Sequence, residues 1–334
     1  MIDLHLHLDG SLPPALVLEL AKEQGVELPG LDQAGVRRLL SVPEDCESLN
    51  DYLRCFDLPL KILQSEEALD RAAYELGRTL GEQGLLYAEV RFAPQLHGAR
   101  GLSQGRAVEA ARRGLQRAVK ERPGFSAQLI LCCMLGGRDE ENRETVRVAE
   151  KYLGSGVCAA DLAGAEALYP TENYRELFAG ARALGVPFTI HAGEAAGPQS
   201  VREAISMGAA RIGHGVRSLE DPELLSLLAE SRIPLELCYT SNLQTKAVSS
   251  PEAFPLRQYL RQGICATLNT DNLTVSQTTL RGEYGKLEAL GLTEEEESAL
   301  MKNAVEAAFL SEDGKARLWE QVRLRTNERN QARS

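Results

Sequence analysis

The sequence predicts an α/β protein built as a (β/α)₈ barrel, the TIM-barrel fold. Eight short apolar runs recur along the 334 residues, and helix-length amphipathic segments separate them. Such alternation of strands and helices indicates parallel β/α units. Eight units in a chain of this length fit a closed barrel, and polar residues gather at the ends of the runs, where this fold carries its active sites. A doubly wound parallel sheet is the alternative.

The eight runs are nearly continuous in apolar residues, which is typical of strands buried on both faces. Between them, stretches such as 67–83 and 103–121 have the periodicity of amphipathic helices. The predicted strands are IDLHLHL (2–8), LLYAEVRFA (85–93), AQLILCCML (127–135), VCAADLA (157–163), PFTIHA (187–192), ARIGHGV (210–216), PLELCY (234–239) and ICATLNT (264–270).

The connection after the first strand is longer than a simple βα connection requires. Residues 29–64 are therefore expected to form extra helices that act as a lid over the mouth of the barrel. From about Glu294 the sequence again predicts helix, and the polar tail of about 325–334 is expected to fray. We expect residues 1–334 to form one domain, since no internal repeat or low-complexity linker interrupts the pattern.

Composition excludes several classes of partner. The net charge of −11 argues against a surface for nucleic acid or anionic membranes, because phosphate contacts need clustered Lys and Arg. No apolar run approaches the roughly 18 residues of a membrane span, and no signal-peptide pattern is present. Seven cysteines without a C-x-x-C spacing fit free thiols in a reducing compartment. We expect a cytoplasmic protein with a small-molecule substrate; its oligomeric state is open.

Unusual polar residues lie at the carboxyl ends of the predicted strands. In a barrel these positions converge on one face, and four of the five histidines fall there. His97 fits no such position and is read as a loop residue, at most near the lid. The converging residues are His5, His7 and Asp9 at the end of the first strand, Gly164 after the fourth, His191 and Glu194 at the end of the fifth, His214 at the end of the sixth, and Asp271 and Asn272 at the end of the eighth.

The H-x-H pair indicates a metal site. Residues i and i+2 of a strand point to the same face, so His5 and His7 can bind one ion. His191 offers a third imidazole and Asp271 a carboxylate. This donor set suits Zn²⁺ best, with Fe, Ni or Co as substitutes. A remaining position would hold water, whose pKa zinc can lower to about 7. The fourth strand ends in DLAG without a bridging lysine, which favours a single metal.

Seven motifs in order carry a family resemblance: HLHLDGS, YAEVRFAP, DLAGAE, HAGE, RIGHGV, CYTSNLQT and LNTDN. Together they resemble the adenosine deaminase family of metal-dependent barrel hydrolases, from the first strand to about residue 285. The resemblance implies a hydrolase acting on a C–N bond of a cyclic amidine. It implies one zinc ion per chain and a purine nucleoside substrate: adenosine, and 2′-deoxyadenosine, would be deaminated at C6 to inosine and ammonia.

The resemblance also implies roles for the residues at the barrel mouth. His5, His7, His191 and Asp271 would hold zinc, with His7 also bordering the substrate. Glu194 of HAGE would protonate purine N1. His214 of GHG would take a proton from the attacking water or stabilise the developing hydroxide, and Asp271 could assist.

Further residues would bind the nucleoside. Asp9 would accept a hydrogen bond from a ribose hydroxyl, and the Gly164 backbone would meet the purine N3 edge. Leu53 and Phe56 would cover the sugar from the lid. These roles, like those of the catalytic residues, come from the family resemblance.

One residue departs from the family pattern, which commonly ends N-T-D-D. This chain has Asn272 where the second Asp would face purine N7. Because an Asn amide has N–H donors at any pH, recognition of N7 could survive, although base preference could change. The alternatives are therefore a deaminase of another aminopurine (adenine, AMP, an N6-substituted nucleotide or a modified adenosine), an amidohydrolase cleaving a cyclic amide, and a non-catalytic zinc-binding barrel. Asp9 disfavours a 5′-phosphate through charge repulsion.

Overall fold

The structure, a computed structural model, describes residues 1–28 and 30–333, with side chains through residue 326. Pro29, at which the expected lid begins, and Ser334 lie outside the described residues. Each of the eight predicted apolar runs corresponds to one strand; six strands are shorter than their run, β4 coincides with it, and β3 is offset from it by one residue. The strands are β1 (Ile2–His7), β2 (Tyr87–Phe92), β3 (Ser126–Met134), β4 (Val157–Ala163), β5 (Thr189–Ala192), β6 (Arg211–His214), β7 (Leu235–Leu237) and β8 (Ala266–Leu268).

The strands are parallel and close into a ring. Strands β1 to β4 pair in sequence order, and so do β5 to β8. Two junctions join the halves: Ala160 N–H donates to Pro187 O over 2.9 Å, and His7 N–H donates to Asp271 O over 2.7 Å. A doubly wound sheet would leave two open edges. The predicted barrel is therefore confirmed.

Helices occupy the connections between strands, as predicted. The stretches 67–83 and 103–121 correspond to helices that begin after Ser65 and Ser103, whose side chains cap the first turn. The helices are α1 (Pro14–Glu23), α2 (Gln33–Leu40), α3 (Leu49–Leu53), α4 (Asp57–Ile62), α5 (Glu66–Glu82), α6 (Gln104–Glu121), α7 (Asp139–Tyr152), α8 (Arg175–Ala183), α9 (Pro198–Met207), α10 (Pro222–Ser231), α11 (Tyr239–Gln244), α12 (Leu256–Arg261), α13 (Leu280–Ala289), α14 (Glu294–Ala307) and α15 (Glu312–Arg333).

The segment between β1 and α5 packs against the turn that follows β8. Val42 N–H donates to Val275 O over 3.0 Å. Tyr52 of α3, Cys46 and Cys55 form a small apolar cluster with Val275. Helices α2, α3 and α4 are thus anchored at the carboxyl ends of the strands, next to the last polar residues of the sequence motif LNTDN.

The opposite end of the barrel is covered by the last two helices. Leu318 and Val322 of α15 pack with Ile2, Leu4 and Tyr87. The helix predicted from about Glu294 is present, and α15 runs through the expected tail to Arg333. No helix in the described part of the chain is both long and apolar enough to span a membrane.

Candidate active site

Four imidazoles converge at the carboxyl ends of the strands. His5 and His7 come from β1, His191 from β5 and His214 from the end of β6. The ring centroid of His5 lies 4.6 Å from that of His191 and 4.7 Å from that of His214. Asp271, which follows β8, places Oδ1 3.5 Å from Nε2 of both His5 and His7. The structure thus brings the five together.

The donor atoms of this cluster fit a transition metal. Two overlapping triplets of ligand atoms lie within 4.8 Å of one another: His5, His7 and His191, and His5, His214 and Asp271. His5 Nε2 is buried and has no hydrogen-bond partner among the described residues, so its lone pair is free for an ion. Imidazole nitrogens with one carboxylate are a donor set that Zn²⁺ and its neighbours accept.

Buried carboxylates orient two of the imidazoles from behind. His5 Nδ1 lies 2.8 Å from Glu236 Oε2, and His191 Nδ1 lies 3.1 Å from Asp161 Oδ2. Arg91 bridges the two carboxylates, with 2.9 Å to each. Because Nδ1–H donates to a carboxylate, Nε2 carries the lone pair and faces the cluster, the arrangement that metal-binding histidines use.

Glu194 is placed as a proton donor beside the cluster. Burial, together with the negative charge of Asp271, raises the pKa of Glu194 to about 8, so the carboxyl carries a proton at neutral pH. Thr245 Oγ1 donates to Glu194 Oε1 over 3.2 Å, and Oε2 lies 3.5 Å from His214 Nε2. A buried acid with a pKa near the working pH is suited to general acid catalysis.

The tautomer of His214 follows from its neighbour Asn242. Cys238 N–H donates to Asn242 Oδ1, which leaves the amide nitrogen to donate to His214 Nδ1 over 3.0 Å. Burial and the nearby His5 hold the pKa of His214 well below its usual value, so the ring is neutral. A neutral ring whose Nδ1 accepts must carry its hydrogen on Nε2. His214 therefore presents an N–H to the site.

The backbone at two site residues is strained. His214 has a φ of 61° and Asp271 a φ of 60°, in the left-handed region that residues with a Cβ adopt at a cost. Gly213 makes the approach of the imidazoles possible, because a Cβ there would lie 3.2 Å from both His5 Cε1 and His191 Cα. The GHG motif thus combines one glycine for clearance with a strained histidine.

Asp9 and Gly164 lie at the same end of the barrel. Asp9 begins a short 3₁₀ turn after β1 and is buried, and its Oδ1 has no hydrogen-bond partner among the described residues. Burial raises the pKa of Asp9 to about 6. Gly164 directly follows β4 with a φ of 121°, a conformation that leaves its peptide group at the barrel mouth without a side chain.

Asn272 is held between the lid segment and the turn after β1. Its Nδ2 donates to Tyr52 Oη over 2.8 Å, and Tyr52 Oη lies 2.7 Å from Ser276 Oγ. A Cβ on Gly10 would lie 1.7 Å from Asn272 Oδ1, so only glycine fits beside this amide. One N–H of Asn272 remains for a ligand.

The two predicted lid residues differ in position. The ring of Phe56 lies 6.2 Å from that of His7 and nearly perpendicular to it, so Phe56 borders the cluster. Leu53 ends α3 and is half-buried; only its place on that helix connects it with the site. His97 lies near the lid segment: it is buried, and its Nδ1 lies 2.8 Å from Leu63 O at the end of that segment.

Several residues around the site were missed by sequence reasoning. Arg91 and Glu236 carried a usable signal, because each is a charged residue inside an otherwise apolar run. Asp161 and Glu166 stand within the DLAGAE motif, yet their contacts depend on which strands become neighbours. Tyr52 gave no signal that separates it from an ordinary core residue.

Comparison with known proteins identifies the family. A family model described as adenosine deaminase matches residues 1–324. The chain belongs to the adenosine deaminase family. The adenosine deaminase of Haemophilus ducreyi is 50% identical over 330 residues, covering 97% of this chain and 96% of that protein. The adenosine deaminase of Enterococcus faecalis is 40% identical over 322 residues, covering 96% of this chain and 95% of that protein.

Solved structures of the family have the same fold. An adenine deaminase from Arthrobacter aurescens superposes with a TM-score of 0.88 at 25% identity, covering 98% of both chains. An Arabidopsis N6-mAMP deaminase superposes with a TM-score of 0.83 at 28% identity, covering 95% of both. The predicted family and barrel fold are thus confirmed, and this member of the adenosine deaminase family is a hydrolase of C–N bonds in cyclic amidines.

Proposed function

We propose that this chain catalyses the hydrolytic deamination of adenosine, and of 2′-deoxyadenosine, to inosine and ammonia. The observation that carries the proposal is the buried carboxyl of Glu194, 3.5 Å from His214, beside a cluster of imidazoles and one carboxylate that fits a metal ion. Identity of 50% to an adenosine deaminase over nearly the whole chain supports adenosine as the substrate.

The residues that would hold one zinc ion are His5, His7, His191 and Asp271. Their donor atoms, and the carboxylates behind His5 and His191, support this assignment. When bound, the ion would act as a Lewis acid that makes water nucleophilic at neutral pH. A single ion is supported by the absence of a bridging lysine from the motif DLAG.

Glu194 transfers its proton to purine N1 as the water oxygen attacks C6. Protonation withdraws electrons from the C6–N1 bond, so the C6–O bond can form. His214 presents Nε2–H and therefore stabilises the negative charge that develops on the oxygen instead of removing a proton. The Asp271 carboxylate, within the same donor cluster, is the acceptor for the proton of the water. Asp271 then gives this proton to N6, so the C6–N6 bond breaks and ammonia leaves. The C6–OH proton returns to the Glu194 carboxylate as the C6–O bond becomes the carbonyl of inosine.

The remaining residues would orient the nucleoside. The Gly164 backbone faces the N3 edge, Asn272 donates its remaining N–H to N7, and Asp9 accepts a hydrogen bond from a ribose hydroxyl. His7, Phe56 and Leu53 border the sugar. The unpartnered Asp9 Oδ1 supports this role, since a buried acceptor without a partner is costly unless a ligand supplies a donor.

The whole chain is proposed to be one domain, with residues 29–64 as a lid over the mouth. The contacts of Tyr52 with Asn272 and of Phe56 with His7 support the lid. A cytoplasmic location is supported by seven cysteines that are all free and buried, as suits a reducing compartment.

A second candidate is the deamination of another aminopurine, because Asn272 replaces the residue that faces N7 in the family pattern. A panel of adenosine, 2′-deoxyadenosine, adenine and AMP, followed by ultraviolet absorbance with zinc-loaded and metal-free protein, separates the candidates. We expect the highest kcat/KM with adenosine and no turnover without metal. Faster turnover of adenine or AMP would transfer the assignment to that substrate.

A further inference from the structure

The carboxylate of Glu166 lies at the centre of the turn that carries Glu194. The residue is 3% exposed, and its carboxylate accepts hydrogen bonds from the backbone N–H groups of 193–196 and from one hydroxyl. The contacts are Gly193 N to Oε1 at 2.7 Å, Glu194 N to Oε2 at 3.0 Å, Ala195 N to Oε2 at 2.7 Å, Ala196 N to Oε2 at 3.0 Å, and Ser200 Oγ to Oε1 at 2.6 Å.

These amides need such an acceptor. Residues 193–196 lie between the end of β5 and the start of α9 at Pro198. Their N–H groups converge on one point, and a carboxylate at the centre of such a backbone nest satisfies them together. Ser200 Oγ completes this hydrogen-bond network, because it donates to Glu166 and also accepts from Gly193 N–H over 2.9 Å. The shape of the turn therefore follows from the position of Glu166.

Glu166 belongs to the loop after β4, the loop that begins with Gly164. Its own N–H donates to Gly164 O over 2.9 Å. One side chain thus fixes the loop of Gly164 to the turn of Glu194. Under the proposed function, these two loops contact N3 and N1, which flank the same carbon of the purine ring.

We infer that Glu166 is the positioning residue that sets the spacing between the N3-binding backbone and the N1-protonating carboxyl. The inference rests on the proposed function for the identity of the two ring atoms. The link that Glu166 makes between the two loops, which we call the clamp, rests on the hydrogen bonds alone. A small displacement of a catalytic group is enough to slow a reaction strongly, so the clamp acts on the rate more than on binding.

Glu166→Gln tests the inference with little change in shape. The amide turns an N–H₂ group toward backbone donors and removes the charge that strengthens the contacts. We expect kcat for adenosine to fall roughly 10- to 100-fold, with a smaller change in KM. Metal content should stay at the wild-type level. Amide hydrogen exchange at 193–196 should become at least about tenfold faster. Glu172→Gln, an exposed glutamate farther along the same connection, should change none of these quantities.

Ser200→Ala provides a milder variant that decides the question if Glu166→Gln does not fold. It removes one donor to Glu166 and one acceptor for Gly193, so kcat should fall roughly two- to tenfold. Faster exchange at 193–196 with unchanged kcat would overturn the positioning role. A loss of kcat without faster exchange would overturn the clamp. If wild-type protein does not deaminate adenosine, the proposed function fails, whereas hydrogen exchange still tests the clamp without substrate.

Discussion

Glu194 and Glu236 are both buried glutamates of the barrel, yet their surroundings favour opposite protonation states. Burial and the charge of Asp271 raise the pKa of Glu194 to about 8. Burial acts on Glu236 in the same direction, but Arg91 and Arg211 outweigh it and hold the pKa of Glu236 well below its usual value. One residue type therefore supplies a neutral acid beside the cluster and a permanent anion behind it.

Replacing Glu194 with Gln should separate proton transfer from metal binding. The amide keeps the shape and can hydrogen-bond to N1, but it has no acidic proton to transfer. We expect kcat to fall by about 10²- to 10⁴-fold while metal content stays at the wild-type value. Turnover and elemental analysis of the same preparation measure both. Near wild-type turnover would exclude Glu194 as the general acid.

The role of Asn272 can be tested by deleting the same contact from either side. Asn272→Ala should lower kcat/KM for adenosine by roughly two- to tenfold, the value of one hydrogen bond to a neutral group. 7-Deazaadenosine should be a poorer substrate of the wild type by a similar factor. It should lose little more with Asn272→Ala, since both changes remove one interaction. Asn272→Asp should stay active. If the two losses multiply, Asn272 does not contact N7.

The candidate ligands could be predicted from sequence because each lies at the carboxyl end of an apolar run, so the barrel itself brings them together. The buried carboxylates that orient these ligands, such as Glu236, could not be predicted. Whether Glu236 meets His5 depends on the barrel interior, where side chains from distant strands share one layer, and no local pattern encodes that neighbour. The burial of His97 could not be predicted either, because it contacts the lid segment at Leu63, far from it in sequence.

At the scale of elements, the strands were predictable, whereas the lid segment could be predicted only as extra helices of unknown number and bounds. A run buried on both faces has a simple apolar signature, and each of the eight runs corresponds to one strand within a few residues. Helices α2, α3 and α4 are short and depend on packing against the barrel, for example through Val42 and Val275. Their number and bounds therefore follow from tertiary contacts that the length of the segment does not reveal.

His97 should make the attachment of the lid segment sensitive to acid. Burial lowers the pKa of His97 from its usual 6.5 to about 4, so the unfolded chain binds a proton in this range that the folded chain does not. The free energy that neutral His97 contributes to folding is fully present above pH 6.5 and is lost as the pH falls toward 4. Between pH 8 and pH 5 the loss from this residue should be about 2 kcal/mol.

The measurement is urea unfolding of wild type and His97→Asn at both pH values. The asparagine amide can still donate to Leu63 O but does not titrate. The variant should therefore be less stable at pH 8, because of its smaller side chain, and should lose about 2 kcal/mol less than wild type on acidification. Parallel pH curves for the two proteins would show that His97 is not the sensitive group.

Arg91 should matter for both stability and metal binding. It contacts Asp161 and Glu236, and all three are buried. Arg91→Met leaves two buried carboxylates without this partner, which should cost about 3–5 kcal/mol of unfolding free energy. Metal affinity should weaken by about 10- to 100-fold because His5 and His191 lose their fixed orientation.

An arginine on the barrel exterior provides the matched control. Arg113 pairs with Asp70 but is half exposed, so Arg113→Met should cost at most about 1 kcal/mol and leave metal affinity unchanged. Unfolding in urea and competition with a chromophoric chelator provide the two readouts. Equal effects of the two substitutions would contradict the role given to Arg91.

At the scale of the whole molecule, the site links elements from both halves of the barrel. His5 and His7 belong to the first four strands, whereas His191 and Asp271 belong to the second four and the turn after them. An ion held by all four would fasten the two halves to each other. Binding to the folded state alone should therefore raise the stability of the entire barrel.

Metal analysis and thermal unfolding test this link. Purified protein should carry close to one transition metal per chain, zinc by preference. Chelation should abolish turnover and lower the stability by about 4 kcal/mol when free metal had been present at 1,000 times its Kd. Added zinc should restore both. Two tightly bound ions, or full activity without metal, would contradict the mononuclear site.

The closure of the barrel between β1 and the turn after β8 has a consequence for synthesis. Thr270 donates to Asp3 across 267 positions of sequence, and Asp271 N–H donates to His5 O beside it. On the ribosome, His5 and His7 emerge early, but Asp271 is synthesised only after most of the chain has been made. A nascent chain stalled before β8 cannot assemble the ligand set, so it should remain metal-free and open to proteases.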